Sequence, residues 1–113
     1  GVDLTGQGDE VAAVMLDMMR RETTPRTDNL AKALVAGVGA AGGNLNSHPL
    51  RKGDFAVIRS ADIPSVLIEL GFLSAEKDLK QLNDPAGRKT LIKGLVAGLV
   101  QWTKDDMRLR SAK

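Results

Sequence analysis

The chain has 113 residues, of which 42% are hydrophobic, so it can form one modest core. Its 16 basic and 14 acidic residues nearly balance at a net charge of +2, which excludes a strongly basic surface for nucleic acid. Cysteine is absent, which excludes disulfides and thiolate metal sites, and no apolar run reaches the roughly 20 residues of a membrane span. The start at Gly1 lacks the pattern of a signal peptide, and we expect the chain to be a piece of a longer protein.

The first predicted helix spans residues 10–22 and follows a glycine-rich loop at residues 1–8. Asp9 is its predicted N-cap. Its apolar side chains form one broad face, made of Val11, Val14, Met15, Leu16, Met18 and Met19. A methionine-rich face of this kind is either ordinary core or an adaptable surface for a partner, and both interpretations stay open at this point.

A break at residues 23–25, which end in proline, separates this helix from a second one that Thr24 or Thr27 would cap. The inward stripe of the second helix is predicted to be Leu30, Ala33, Leu34, Val38 and Ala41. Residues 44–54 then form a loop with the only histidine, His48. A metal site needs several convergent ligands, and there is no second histidine or cysteine, so we do not expect His48 to be a ligand.

Two short strands are predicted at residues 55–59 and 65–70. The connection between them, about five residues long, is too short for a parallel crossover, so the strands would pair antiparallel. Asp62 is predicted to stabilise the turn before Pro64. The second strand is a nearly continuous apolar run, which is typical of a buried strand.

Glu69 interrupts that run, just before Gly71 marks the end of the strand. Burying an ionised carboxylate without a partner costs several kcal/mol, so Glu69 must lie at an open strand end, pair with a cation or face a polar site. Open sheets bind ligands at the carboxyl ends of their strands, which makes Glu69 a candidate general base. The structural alternative is a carboxylate that caps a helix or pairs with arginine or lysine.

Two further helices follow the strands. Ser74 is the predicted N-cap of the third, which runs to about Leu82, and Asp84 with Pro85 starts the fourth. The apolar stripe of the fourth helix is predicted to be Ile92, Leu95, Val96, Leu99 and Trp102. Residues 104–113 are charged and predicted to be a frayed tail. We therefore predict an α/β fold in which two strands form part of a sheet and four helices pack on it.

Residues 55–74, with the sequence FAVIRSADIPSVLIELGFLS, closely resemble the C-terminal part of zinc-dependent N-acetylmuramoyl-L-alanine amidases of the cell-division type. The match is specific, since it runs through a strand, a linker, a second strand and the turn after it. It continues more weakly through Asp78, Leu82 and Arg88 into the last helix and covers about two thirds of the chain. The resemblance implies that residues 1–113 are the C-terminal part of one mixed-sheet amidase domain.

The resemblance also implies a reaction and a cofactor. In this family the glutamate of the motif is the catalytic acid/base beside a zinc ion, and it falls on Glu69. The family holds zinc through two histidines and a glutamate, and none of those motifs occurs in these 113 residues, so the ligands are expected upstream. The implied substrate is peptidoglycan, cleaved between N-acetylmuramic acid and L-alanine. The implied setting is the periplasm or cell envelope of a bacterium, during wall remodelling and daughter-cell separation.

A regulatory segment is implied as well. Division amidases carry a helical insertion that blocks the zinc site until an activator protein displaces it, and residues 1–24 fall in that interval. Because a glutamate of this insertion can bind the zinc, Glu10 becomes a candidate occluding residue. The alternative function is a non-catalytic module whose helix at residues 10–22 binds a partner. Zinc-ligand motifs in the upstream coding sequence would favour the enzyme, and their absence would favour the module.

Purified alone, these 113 residues are expected to bind zinc weakly and to lack amidase activity, because they contain one histidine and no cysteine. Isothermal titration calorimetry with zinc checks the first expectation, and digestion of purified peptidoglycan checks the second. A protein site with submicromolar zinc affinity would contradict the prediction.

Overall fold

The computed structural model describes residues 7–53, 58–71 and 74–112. These residues contain three helices, α1 (Gln7–Ala40), α2 (Glu76–Asn83) and α3 (Pro85–Ser111). The two long helices, α1 and α3, pack against each other, and the short α2 packs against α3. Within these ranges, no helix combines the length and the apolar character needed to cross a membrane.

The predicted α/β fold is wrong, because the described residues contain helices and no strand. Residues 65–70, predicted as a buried strand, form an irregular segment in which Leu67, Ile68 and Leu70 are 50%, 46% and 52% exposed. A strand forms only where a neighbour pairs with its backbone and covers its side chains, and no described segment does either. Of the first predicted strand, residues 55–57 lie outside the described residues, and residues 58–59 are not in a strand.

The predicted break at residues 23–25 is also wrong, since α1 runs through Pro25 without interruption. A proline inside a helix removes one backbone hydrogen bond and costs about 3 kcal/mol. Thr23 is buried and Arg26 is bound to Asp106 of α3, so contacts on both sides of the proline offset that cost. The first two predicted helices are therefore one helix, and the described chain has three helices in place of four.

The C-terminal end of α1 is set by Gly42, whose φ of +88° lies in the left-handed region that favours glycine. The Gly43 N–H donates to the Val38 carbonyl at 2.9 Å, and the Gly42 N–H donates to the Gly39 carbonyl at 3.1 Å. These two bonds form a Schellman motif, which satisfies carbonyls that the end of a helix leaves without a partner. The helix therefore stops sharply and the chain turns into the following loop.

The core lies between α1 and α3. Its largest members are Leu30, Leu34 and Val38 from α1 and Leu91 from α3. The three residues from α1 confirm part of the predicted inward stripe. On α3 the predicted stripe is partly confirmed, because Leu95 and Trp102 are half-buried and Trp102 bonds to α1. Its other members, Ile92, Val96 and Leu99, are exposed, while Gly94 and Gly98 are buried. The helix therefore turns its glycines and Leu91 toward α1 and leaves three of its larger apolar residues in solvent.

Glycines set the distance between the two long helices. A Cβ atom built on Gly98 would lie 2.5 Å from the carbonyl oxygen of Ala33, and one on Gly94 would lie 2.6 Å from the Cα of Val38. From the other side, a Cβ on Gly37 would lie 2.8 Å from the backbone nitrogen of Gly98. Contacts this short leave no room for a side chain, so the two backbones meet directly.

The junction between α2 and α3 is made by Asp84, as predicted. Its Oδ1 accepts a hydrogen bond from the Ala86 N–H at 3.1 Å, and Pro85 occupies the first position of α3. The start of α2 differs from the prediction, because its N-cap is Ala75 and not Ser74. Ala75 supplies no side-chain cap, so this end of α2 depends on its packing against α3.

The predicted frayed tail at residues 104–113 is helical through Ser111 in the structure. The reason is a tertiary contact, since Asp106 is buried and binds Arg26 of α1. The pattern of charges along one helix does not reveal an ion pair with a residue of another helix. The charged residues at positions 104–110 are therefore helical, and α3 extends beyond its last apolar stripe residue, Trp102.

We predict that Gly98→Ala lowers the free energy of unfolding by about 1–3 kcal/mol, because the new methyl group collides with the backbone of Ala33. At an open helix position the same change gains up to about 1 kcal/mol from helix propensity. Gly39→Ala is the matched control, since its Cβ would meet only the end of the Leu45 side chain, at 3.2 Å. Urea denaturation of both variants measures the difference, and equal stability would refute the close contact.

Candidate functional site

Glu69 lies in the segment of residues 58–71, called here the Glu69 segment, and its side chain is exposed. Its carboxylate makes no hydrogen bond or ion pair with any other residue in the described part of the chain. Neither structural alternative, a helix cap or a pair with a cation, therefore holds within those ranges. The carboxylate is left open to solvent or substrate, and its catalytic role stays a prediction.

The Glu69 segment is fixed at its C-terminal end by Gly71. This glycine has a φ of +156°, and a Cβ built on it would lie 2.9 Å from the Cβ of Asp78 in α2. A larger residue would force the segment away from α2. The backbone two residues after Glu69 is therefore held against a helix.

The segment is fixed at its other end by Ala61, which is buried. Next to it, the Ser60 hydroxyl donates to Oδ1 of Asp62 at 3.0 Å, and the Ser65 hydroxyl donates to the carbonyl of Ile63 at 3.0 Å. The first of these bonds agrees with the prediction that Asp62 stabilises the turn before Pro64. Glu69 thus projects from an irregular segment whose two ends are both anchored.

An open cavity of about 290 Å³ lies where three parts of the chain meet. Its walls are Met19, Glu22, Thr23 and Arg26 of α1, Asp62 of the Glu69 segment, and Arg110 of α3. Charged groups of both signs face this space, which suits water and polar groups better than an apolar ligand. The cavity places the Glu69 segment beside the middle of α1.

A bidentate ion pair joins α1 to α3 beside this cavity. Arg26 donates from Nε to Oδ1 of Asp106 at 2.8 Å and from Nη2 to Oδ2 at 2.9 Å. This is a bidentate pair, in which two parallel charge-assisted bonds fix the geometry of both side chains. The bonds to Asp106 raise the pKa of the Arg26 guanidinium above its ordinary value. The indole Nε1 of Trp102 also donates to the Arg26 carbonyl, at 3.0 Å.

The part of α1 before this contact, residues 7–22, is called here the arm. Every residue from 13 to 22 is exposed. The apolar side chains of Val14, Met15 and Met18 are 60%, 57% and 61% exposed, so the broad apolar face predicted for this helix is not core within the described residues. Glu10 is exposed in the first turn of the arm.

The loop after α1 holds His48 by its backbone. The His48 N–H donates to Oδ1 of Asn46 at 2.7 Å, and its carbonyl accepts from Nε of Arg51 at 3.2 Å. Among the residues with described positions, no three histidine, aspartate or glutamate side chains gather as metal ligands. These residues therefore do not fit a zinc site, with or without His48.

Comparison with known proteins places residues 4–101 in one family, described as N-acetylmuramoyl-L-alanine amidase. This stretch includes all of α2, Glu69, and all but the last turns of α3. No solved structure matches the chain.

Three relatives show how much of a longer protein the chain represents. The probable cell wall amidase LytH of Staphylococcus epidermidis is 34% identical over 86 residues, which cover 74% of this chain and 26% of that protein. The N-acetylmuramoyl-L-alanine amidase AmiC of Neisseria meningitidis serogroup B is 28% identical over 102 residues, which cover 90% of this chain and 24% of that protein. The probable N-acetylmuramoyl-L-alanine amidase AmiB of Haemophilus influenzae is 48% identical over 44 residues, which cover 39% of this chain and 10% of that protein. The chain thus spans about a quarter of the length of the first two relatives and a tenth of the third.

Proposed function

This chain belongs to the N-acetylmuramoyl-L-alanine amidase family, and on that premise we propose that it is part of a peptidoglycan hydrolase of the bacterial cell envelope. The bond cleaved is the amide between N-acetylmuramic acid and the L-alanine of the stem peptide. Relatives named as cell wall amidase and N-acetylmuramoyl-L-alanine amidase support this substrate. The structural observation that carries the proposal is the exposed carboxylate of Glu69, which has no partner in the described chain.

In this proposal Glu69 is the general acid/base. Hydrolysis of an amide near neutral pH needs a group that removes a proton from the attacking water and delivers it to the leaving nitrogen. The carboxylate takes that proton as the water oxygen bonds to the carbonyl carbon. It then gives the proton to the nitrogen of L-alanine as the carbon–nitrogen bond breaks. The anchors at Ala61 and Gly71 restrict where the carboxylate lies, which such a transfer requires.

The proposed cofactor is zinc, which the resemblance to zinc-dependent amidases supports. The described residues do not fit a metal site, and we propose that its ligands lie upstream. When bound, zinc supplies a Lewis acid that polarises the substrate carbonyl and activates water. The resemblance to division amidases supports a periplasmic location and a role in wall remodelling and daughter-cell separation. Both belong to the proposal.

The arm is proposed to regulate the enzyme. Its apolar side chains lie in solvent, and a contiguous apolar patch of this kind is typical of a surface that another protein covers. We assign residues 1–24 to a regulatory segment on which an activator protein acts. The occluding role of Glu10 remains a prediction, since its carboxylate lies at the far end of the arm.

A second candidate function rests on the same arm. If no zinc ligands exist upstream, the chain is a partner-binding module in which the arm at residues 10–22 is the working surface. The exposed Met15 and Met18 favour this candidate over a purely structural domain, because flexible methionines adapt to different partners.

In the intact enzyme, Glu69→Gln is expected to lower turnover of peptidoglycan by about 100-fold or more, the usual effect of losing an acid/base group. Fold and zinc content should not change, because the side chain is exposed and has no partner in the described chain. Glu76→Gln is the matched control, since Glu76 is an exposed acid in the first turn of α2. Near-parental digestion of purified peptidoglycan by the Glu69 variant would show that Glu69 is not catalytic.

The double variant Met15→Ser with Met18→Ser is expected to raise basal activity of the intact enzyme and to reduce its dependence on an activator. Polar side chains weaken the arm's attachment to any apolar surface that it covers. Dye release from labelled peptidoglycan measures the activity, and Met107→Ser, at a methionine of α3 that is 67% exposed, is the control. If the double variant merely unfolds the protein, the arm is ordinary core and the regulatory role fails.

A further inference from the structure

The two sides of Pro25 in α1 have different surroundings. On the N-terminal side, residues 13–22 are exposed without interruption. On the C-terminal side, Leu30, Leu34 and Val38 are buried against α3. Pro25 therefore lies close to the boundary between a free part and a packed part of one continuous helix.

Pro25 also lacks a backbone hydrogen bond that other interior positions of the helix can make. It has no N–H, so the Arg21 carbonyl receives no helical hydrogen bond from it, and the proline ring crowds the same carbonyl. Bends in long helices concentrate at such positions. A bend between the arm and the rest of α1 therefore breaks fewer backbone bonds here than at neighbouring turns.

The residue that follows Pro25 is the one that binds α3. Asp106 is only 8% exposed, and both of its oxygens accept from Arg26, at 2.8 and 2.9 Å. Trp102 adds a bond to the Arg26 backbone at 3.0 Å. The pair of Arg26 and Asp106, called here the latch, thus fixes α1 to α3 directly after Pro25.

We propose that Pro25 is a hinge, about which the arm swings while the rest of α1 stays on α3. The latch holds the part of α1 that directly follows the hinge. This inference rests on the proposed function, because it states how the regulatory arm moves. The cavity at the hinge connects the motion to the site, since Met19 and Glu22 of the arm and Asp62 of the Glu69 segment line the same space. A swing of the arm changes the wall beside the segment that carries Glu69.

The hinge and the latch make opposite predictions for two variants of the intact enzyme. Pro25→Ala restores the missing helical bond, so amide exchange in the arm should slow by about tenfold and basal dye release from labelled peptidoglycan should fall. Asp106→Asn keeps the size of the side chain but removes its charge. It should speed amide exchange at residues 26–34 by about tenfold and raise basal dye release about threefold. A purely structural role of the latch predicts the reverse sign for activity, because a destabilised enzyme loses activity.

Hydrogen–deuterium exchange by mass spectrometry and dye release are measured on the same samples. Asp105→Asn is the control, since it removes an ion pair with Arg108 at 3.3 Å on the surface of α3, outside the arm and the latch, and it should change neither quantity. The proposal is overturned if Pro25→Ala leaves exchange in the arm unchanged, or if Asp106→Asn lowers dye release or leaves it unchanged. If Asp106→Asn does not fold, Pro25→Ala decides alone. If neither the intact parent with its activator nor the Asp106→Asn variant releases dye, the proposed function fails, and exchange in the arm still decides for or against the hinge.

Discussion

The direct contact between the backbones of α1 and α3 is the constraint on which the rest of this structure depends. Because Gly37, Gly94 and Gly98 leave no side chain between the helices, α3 must present its glycine side to α1. Leu91 lies on the packed side with these glycines, and Ile92, Val96 and Leu99 are left in solvent. The same short separation keeps the two helices together far enough along their length for Arg26 to reach Asp106. The helical end of α3 and the continuity of α1 past Pro25 are both supported by these two contacts.

Local signals in the sequence were sufficient for part of the fold. Asp84 and Pro85 marked the start of α3, and the spacing of Leu30, Leu34 and Val38 marked the packed face of α1. Features that depend on a distant partner were not predictable in this way. Glycine in a helix indicates low helix propensity and does not reveal a neighbouring backbone, so the prediction for α3 missed Gly94 and Gly98 and placed only Leu95 and Trp102 near the packed side. The strand prediction failed for a similar reason. An apolar run indicates a tendency to be buried, but it does not supply the neighbouring strand with which a strand must pair.

The candidate site shows the same division. Glu69 was identified from its own motif, which is local, whereas its exposure depends on which other segments cover residues 65–70. Arg26 and Asp106 are 80 residues apart, and no periodicity relates two positions at that distance. Single charges in helices are usually solvated, so neither residue differed in the sequence from its charged neighbours. Only the packed structure shows that they form one bidentate pair at the base of the arm.

Asp84 belongs to two helices at once, since it is the C-cap of α2 and the N-cap of α3. A connection of one residue leaves little freedom in the angle between α2 and α3. Because Gly71 lies against Asp78 of α2, the position of Glu69 depends on this corner between the two helices. The chain therefore tolerates insertions at some positions better than at others. We expect the exposed loop at residues 45–53 to absorb extra residues. One residue inserted beside Asp84 would instead turn α2 about its axis and carry the Glu69 segment with it. Variation in length among relatives should accordingly collect in the loop and spare the corner.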